Sequence, residues 1–381
     1  MHIKVNRQNF LTAVRIVEKS IKDNKIKPIL SCVYAKVKDN KVYFTGTNLD
    51  TTIKTSIDVN EVIREGEVAF SPSIIDEYLK EIKDEFVVLR VENGNILFIE
   101  TEDSTTEYDV FTTEDYPNTF ENINLNENNF KFEMPSQELV EIFEKVLFSA
   151  DTPDNIAMNC IRIESNNKTL NFVSTNTYRL TYLKKDVEKE INDFAVSVPA
   201  DTISSIVKIV KGLDNELIKI YKEDAHLYFK YKETTIITKL IELRFPNYAD
   251  ILSNITYDKK LSINNETFTN LLKRVLIFSR SNMESKYSST YQFKHGDNGE
   301  SKLIISALND IARINEELNI SFEGEDLKIS LNVKFLLDYI STIKGKVTVL
   351  ELLNNKSSVI VKDEDNDKSL YFTMPLALRE S

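Results

Sequence analysis

A chain of 381 residues is longer than a single hydrophobic core ordinarily fills, so two or three domains are expected. The composition, 41% hydrophobic and 28% charged with no apolar run of about 18 residues, is that of a soluble globular protein and excludes a helical membrane span. A net charge of -12 counts against nucleic acid as a partner unless the basic residues are segregated on one surface.

Cys32 and Cys160 sit in apolar runs and read as buried thiols, and His2, His226 and His295 have no Cys, Asp or Glu at ligand spacing. Neither a disulfide framework nor a metal site is expected. The opening Met-His-Ile-Lys-Val-Asn lacks the basic and apolar regions of a secretory signal, which points to the cytoplasm.

In chain order, a strand at His2-Ile3-Lys4-Val5 leads into a helix at 10–17, whose apolar Phe10, Leu11, Val14 and Val17 recur at spacings of three and four. A β-rich run, Val42-Tyr43-Phe44-Thr45-Gly46-Thr47-Asn48, ends in a polar corner. A second helix at 71–79 opens Ser71-Pro72, suitable entry residues. A hairpin turning at Asn93-Gly94 follows, and the unit closes with Glu114-Asp115-Tyr116-Pro117-Asn118.

The same order then repeats. A helix at 139–147, a strand ending at the corner Thr175-Asn176, a helix at 199–207, a hairpin at Glu223-Asp224 and the closing Arg244-Phe245-Pro246-Asn247-Tyr248 make a second copy. A third runs through a helix at 268–276, the corner Leu308-Asn309, a helix at 331–339, a hairpin at Asn354-Asn355 and an end near Met374-Pro375. Three α+β domains of similar size follow, 1–125, 126–254 and 255–381, each with two helices packed on β-sheet. With eight glycines and eight prolines in the chain, the linkers are short rather than floppy.

Charge is unevenly shared. The six helical segments, 8–27, 71–83, 135–149, 200–212, 264–286 and 331–346, carry 17 basic and 12 acidic side chains, a net of +5, which leaves -17 for the remainder of a chain of net -12. The acidic extreme is 102–127, with Glu102, Asp103, Glu107, Asp109, Glu114, Asp115, Glu121 and Glu127 and no Lys or Arg. Helices gathered on one face would make that face mildly positive, suited to weak phosphate contact that reads no sequence. No Walker loop, Gly-x-Ser-x-Gly, His-Glu-x-x-His or glycine-rich dinucleotide turn is present, so an enzyme is not expected and neither is a cofactor.

Over its whole length the chain resembles the bacterial DNA polymerase III beta subunit, the replicative sliding clamp. The resemblance is carried by Lys27-Pro28-Ile29-Leu30, Thr45-Gly46-Thr47-Asn48-Leu49-Asp50, Thr175-Asn176-Thr177-Tyr178-Arg179-Leu180, Arg244-Phe245-Pro246-Asn247-Tyr248 and Tyr371-Phe372-Thr373-Met374-Pro375-Leu376. It implies a processivity factor: a head-to-tail homodimer whose six DNA-clamp domains form a ring around duplex DNA, without sequence preference, with helices lining the hole. It also implies a pocket for short hydrophobic peptides of the replicative polymerase, the clamp loader and repair proteins.

Matching the family's peptide pocket are Thr175, Thr177, Tyr178, Arg179, Leu180, Pro246, Ile251, Ser358, Phe372, Met374, Pro375 and Leu376, with Thr177, Arg179 and Ser358 as polar edges that orient the peptide. Tyr108 and Val110 with Ile277 and Phe278 match the ring contact, and Arg15, Lys22, Lys25, Lys27, Lys208, Lys211, Lys273, Arg274 and Arg280 are the DNA-facing candidates. The chain departs from the family's Met-Pro-x-Arg-Leu ending, reading Met374-Pro375-Leu376-Ala377-Leu378 before Arg379-Glu380-Ser381, and has Asn24, Ala200 and Asp201 where basic residues are frequent.

Overall fold

The computed structural model describes residues 1–117, 120, 123, 125–253, 256–280, 286–296 and 300–378. Asn118 of the first closing turn, Glu121 of the acidic run, residues 281–285 of the fifth charged segment and the tail Arg379-Glu380-Ser381 lie outside the described residues.

Seven α-helices occur among the described residues: α1 Arg7–Glu18, α2 Pro72–Glu81, α3 Ser136–Leu147, α4 Ala200–Val210, α5 Tyr248–Ser253, α6 Asn265–Ser279 and α7 Val333–Ile340. Six coincide with the expected pairs; α5 is additional. Three of the six start on an asparagine. The Oδ1 atoms of Asn6, Asn264 and Asn332 accept from the amides of Asn9, Thr267 and Phe335 at 3.1, 2.9 and 3.0 Å, satisfying donors a helix start leaves unpaired.

The chain sorts into two compact units. The first holds Met1–Val140 and Asp201–Leu240, the second Glu141–Ala200 and Ile241–Ser381, so the middle repeat is divided between them. In the first unit a five-stranded sheet runs Glu61–Arg64, His2–Asn6, Phe86–Glu92, Ile96–Glu100, Thr105–Asp109. An eight-stranded sheet runs Phe130–Pro135, Leu217–Glu223, His226–Tyr231, Thr234–Lys239, Thr51–Asp58, Lys41–Thr47, Val33–Lys38, Gly66–Phe70. The two repeats join inside this sheet, where Thr51 to Lys54 pair antiparallel with Thr238 to Thr235.

The second unit contains one twelve-stranded sheet, ordered Ala195–Pro199, Cys160–Asn166, Thr169–Thr175, Arg179–Asp186, Asn366–Thr373, Val359–Asp363, Val347–Leu352, Lys259–Asn264, Arg313–Glu323, Ser301–Leu308, Ser288–His295, Leu327–Asn332. Here Arg179 to Leu183 pair with Thr373 to Ser369, again strand to strand between neighbouring repeats. One core cluster packs α6 and α7 against this sheet around Phe268, Leu272, Tyr291, Phe293, Tyr339 and Tyr371, all buried.

The three polar corners share one construction. The side chains of Asn48, Asn176 and Asn309 each accept from the amides two and three residues on, at 3.1 and 2.8, 3.2 and 3.1, and 3.1 and 2.8 Å respectively. Each asparagine's own amide bonds the carbonyl three residues on, that of Thr51, Arg179 or Ala312. This side-chain mimicry of a turn is why asparagine recurs. Two residues before each corner stands a small residue, Gly46, Ser174 or Ala307. A Cβ on Gly46 would lie 2.3 Å from the Val17 carbonyl oxygen at the end of α1, and Ser174 donates its hydroxyl to the equivalent Val146 carbonyl of α3. Strand and helix approach too closely there for a larger side chain.

Asn93 and Gly94 both have positive φ, 52° and 75°, as a two-residue hairpin turn requires. Asp39-Asn40, also both positive at 50° and 58°, makes a tight turn that the sequence reading passed over. The expected tight turn at Asn354-Asn355 is instead part of the longer connection between Val347–Leu352 and Val359–Asp363.

Candidate functional site

The corner at Asn176 ends the strand Thr169–Thr175 and starts Arg179–Asp186. Thr177 sits there at φ 70°, and the Thr175 hydroxyl donates to the Arg179 carbonyl at 2.8 Å. The Met374 amide donates to the Tyr178 carbonyl at 2.8 Å, fastening the corner to the end of the chain's last strand. On the far side, Phe245-Pro246-Asn247 leads into α5, and Asn247 bonds Asp250 at 2.7 Å. Beneath lies a satellite core of Cys160, Val173, Leu180, Phe245, Tyr248, Ile360 and Phe372. The Tyr248 hydroxyl donates to Glu164 at 2.6 Å; burial, then that carboxylate, pushes its pKa well above the ordinary tyrosine value.

These elements enclose a cleft of about 530 Å³ within the second unit. Ten of the twelve expected residues line it: Thr175, Thr177, Tyr178, Arg179, Leu180, Pro246, Ile251, Ser358, Phe372 and Met374. Tyr178, Ile251 and Met374 leave 63%, 40% and 41% of their surface exposed. Three large apolar side chains at one opening make a patch that favours a partner over water.

Pro375 and Leu376 are not among the lining residues. The Leu376 amide bonds the Ser330 carbonyl at 2.8 Å and forms a bridge to the strand Leu327–Asn332, carrying the chain away from the cleft. Arg179 does not supply a polar edge. Its side chain is 11% exposed, and its guanidinium donates to Asp338 at 2.8 Å and to the Phe148 carbonyl and lies 4.1 Å from the centre of the Phe335 ring. It braces the corner against α7, whose Lys334 shares Asp338 at 2.9 Å.

Asp250, Thr256, Tyr257, Leu353 and Ser357 also line the cleft and were not foreseen. They come from α5, the segment after it, and the connection before Val359–Asp363, none of which carries a sequence periodicity. The Tyr257 hydroxyl is buried with no hydrogen-bond partner among the described residues. Burial pushes its pKa up to about 12, with Ser358 pulling the other way. A peptide carbonyl entering the cleft could accept that proton.

The candidate cations divide into two groups. Arg15 is held by Asp76, Lys22 by Asp201 at 2.6 Å, and Arg274 by both oxygens of Glu316 at 2.6 and 2.9 Å. Lys211 also has an interaction partner. Lys25, Lys27, Lys208, Lys273 and Arg280 are exposed and without an ion pair among the described residues. The helical charge surplus is therefore partly neutralised, and the available positive charge lies in fewer positions than the count suggests.

Of the ring-contact candidates, Ile277 is 58% exposed near the end of α6, whereas Phe278 is half-buried against its own core. Tyr108 and Val110 are half-buried at and just beyond the edge strand Thr105–Asp109. Cys32 and Cys160 are buried free thiols, each with its pKa pushed up to about 11 by burial. No group of three His, Cys, Asp or Glu able to hold a metal occurs among the described residues, and no helix among them is long and apolar enough to cross a membrane.

Repeated two-helix units on continuous antiparallel sheets, with an apolar cleft framed by an asparagine corner and the end of the last strand, define a DNA-clamp fold. The models of the N-terminal, central and C-terminal domains of the DNA polymerase III beta subunit match residues 1–120, 133–247 and 255–377. The chain belongs to the DNA polymerase III beta subunit family, the sliding clamps. It is similar to the beta sliding clamp of Halalkalibacterium halodurans, 22% identical with 99% of each chain covered, and to that of Buchnera aphidicola, 26% identical with 92% of each covered. Among solved structures, a putative DNA polymerase III beta subunit from Eubacterium rectale superposes with a TM-score of 0.88 at 24% identity, covering 99% of this chain and 100% of that one. A Pseudomonas aeruginosa sliding clamp bound to griselimycin does so with 0.88 at 23% identity and the same coverage.

Proposed function

We propose that this sliding clamp works as a non-catalytic processivity factor of the cytoplasm. Two copies associate head to tail so that three clamp domains from each, 1–125, 126–254 and 255–381, close a ring around duplex DNA. The exposed cations Lys25, Lys27, Lys208, Lys273 and Arg280 then meet phosphates without reading bases. Polymerase, clamp loader and repair proteins are held through short hydrophobic peptides seated in the cleft.

The exposed apolar opening formed by Tyr178, Ile251 and Met374 is the observation that carries this reading. Apolar walls supply affinity that tolerates different peptides, because Met374 can repack, while the Thr177, Ser358 and Tyr257 hydroxyls offer orientation. A fluorescent peptide containing Gln and Leu is expected to bind the intact protein. Tyr178→Ala combined with Met374→Lys is expected to weaken that binding by roughly a hundredfold, since it removes one anchor and puts a charge in the cleft. Unchanged affinity would remove the cleft from the account. Once loaded on circular DNA, the protein is expected to stay bound until the circle is cut.

A further inference from the structure

The ion pair between Lys22 and Asp201 differs from those of the other candidate cations. Arg15 and Arg274 are held by half-buried acids, Asp76 and Glu316. Lys22 and Asp201, 2.6 Å apart, leave 62% and 64% of their side chains exposed. A pair so open to water holds its members weakly and is screened by salt, so either member can trade its partner for an ion from solution.

The pair nevertheless joins two anchored elements. Asp201 lies in the first turn of α4. That helix is tied to the first repeat by the hydroxyl bond between Thr202 and Thr51 at 2.6 Å and by the Ser205 hydroxyl, which donates to the Lys19 carbonyl at 3.0 Å. On the other side, the Ser31 hydroxyl accepts from the Asn24 amide at 2.9 Å, and the Asn24 side chain accepts from the amides of Ile26 and Lys27 at 3.1 and 2.9 Å. The same two elements carry the unpaired cations. Lys25 and Lys27 stand in the loop with Lys22, and Lys208 follows two turns beyond Asp201 on the same face of α4. In the other two repeats the place of Asp201, the second residue of the helix, belongs to Ser73 in α2 and Lys334 in α7. The acid is a feature of the middle repeat alone.

We infer that Asp201 stands in for a DNA phosphate on Lys22. Without duplex the carboxylate neutralises this cation. A phosphate arriving at the loop must displace the carboxylate and leave it unpaired beside another anion, so one charge-assisted bond is exchanged for another and little is gained. Lys25, Lys27 and Lys208 have no such occupant and release counterions on contact. Asp201 thereby limits the hold on DNA where cations are densest, which suits a protein that must move along the duplex. This rests on the reading that the loop after α1 and the exposed face of α4 meet DNA, and it adds to that reading the residue that weakens the contact.

The test is the binding of a fluorescent linear duplex across a range of salt concentrations. Asp201→Asn is expected to tighten binding roughly threefold at low salt and to steepen the log-log salt dependence by about 0.9 for each phosphate newly held. In a Lys22→Ala background the same change is expected to leave the salt dependence as it is. A gain of equal size in both backgrounds would overturn the inference, because Asp201 would then be repelling phosphate by itself; no gain in either would overturn it as well. Peptide binding at the cleft serves as the check that each variant is folded. The underlying reading is judged by Lys25→Ala with Lys208→Ala, which is expected to weaken duplex binding whatever occupies position 201. If that variant binds as tightly as the unmodified protein, the DNA-facing surface and the inference fall together. If it binds more weakly while Asp201→Asn changes nothing, the inference alone fails.

Discussion

Gly46 shows how much one missing side chain can set. The Val17 carbonyl against which it packs accepts from the Ser20 amide at 3.1 Å and its hydroxyl at 2.8 Å, so the oxygen has little freedom to retreat. Gly46→Val is expected to cost about 2–4 kcal/mol in denaturant unfolding, an overpacking penalty with backbone displacement. A midpoint within error of the unmodified protein would show that α1 can shift. The small residue before the corner was visible in the sequence, but its reason was not, since it depends on a helix end some thirty residues away. Arg179 taught the converse: its place in the family motif marked the cleft, while its guanidinium turns away toward Asp338, a partner on another element.

At the scale of elements, the six longer helices were legible because each must bury one face, and that requirement writes a period into the sequence. α5 escaped because Tyr248–Ser253 is six residues long, too short for a period to show. The cleft was legible in part for the same reason. Its asparagine corner and final strand carry recognisable residues, while Tyr257 and Leu353 reach it from segments without pattern. Tyr257 predicts a specific alkaline response. Its proton is held more tightly in the folded protein, to about 12 against an ordinary 10, so its contribution to stability is complete below pH 10 and is lost as pH rises toward 12. Tyr257→Phe is expected to flatten that part of the stability profile and to remove one phenolate from the absorbance that develops above the ordinary tyrosine range. A profile unchanged by the substitution would place the proton elsewhere.

For the whole molecule, the threefold order of elements was readable from sequence, but its division into two compact units was not. Strand pairing between repeats belongs to no single repeat, so no local pattern announces it. If the proposed ring closes through the end of α6, Ile277→Asp with Phe278→Asp is expected to leave only monomer by mass measurement, because two carboxylates would be stripped of water in an apolar contact. A variant still dimeric would move the contact away from the end of α6.

The junction of Thr51–Asp58 with Thr234–Lys239 also bears on what can be cut out of this protein. Severing the chain near residue 125 would strip a neighbour from an interior strand rich in threonine and isoleucine, turning a sealed flank into an adhesive one. Fragments trimmed at repeat boundaries should therefore express as aggregates, whereas a split that respects the sheets would have to gather Met1–Val140 and Asp201–Leu240 from two stretches of chain. The repeat and the compact unit differ here: a segment cut at the repeat boundary is not a piece that can stand alone.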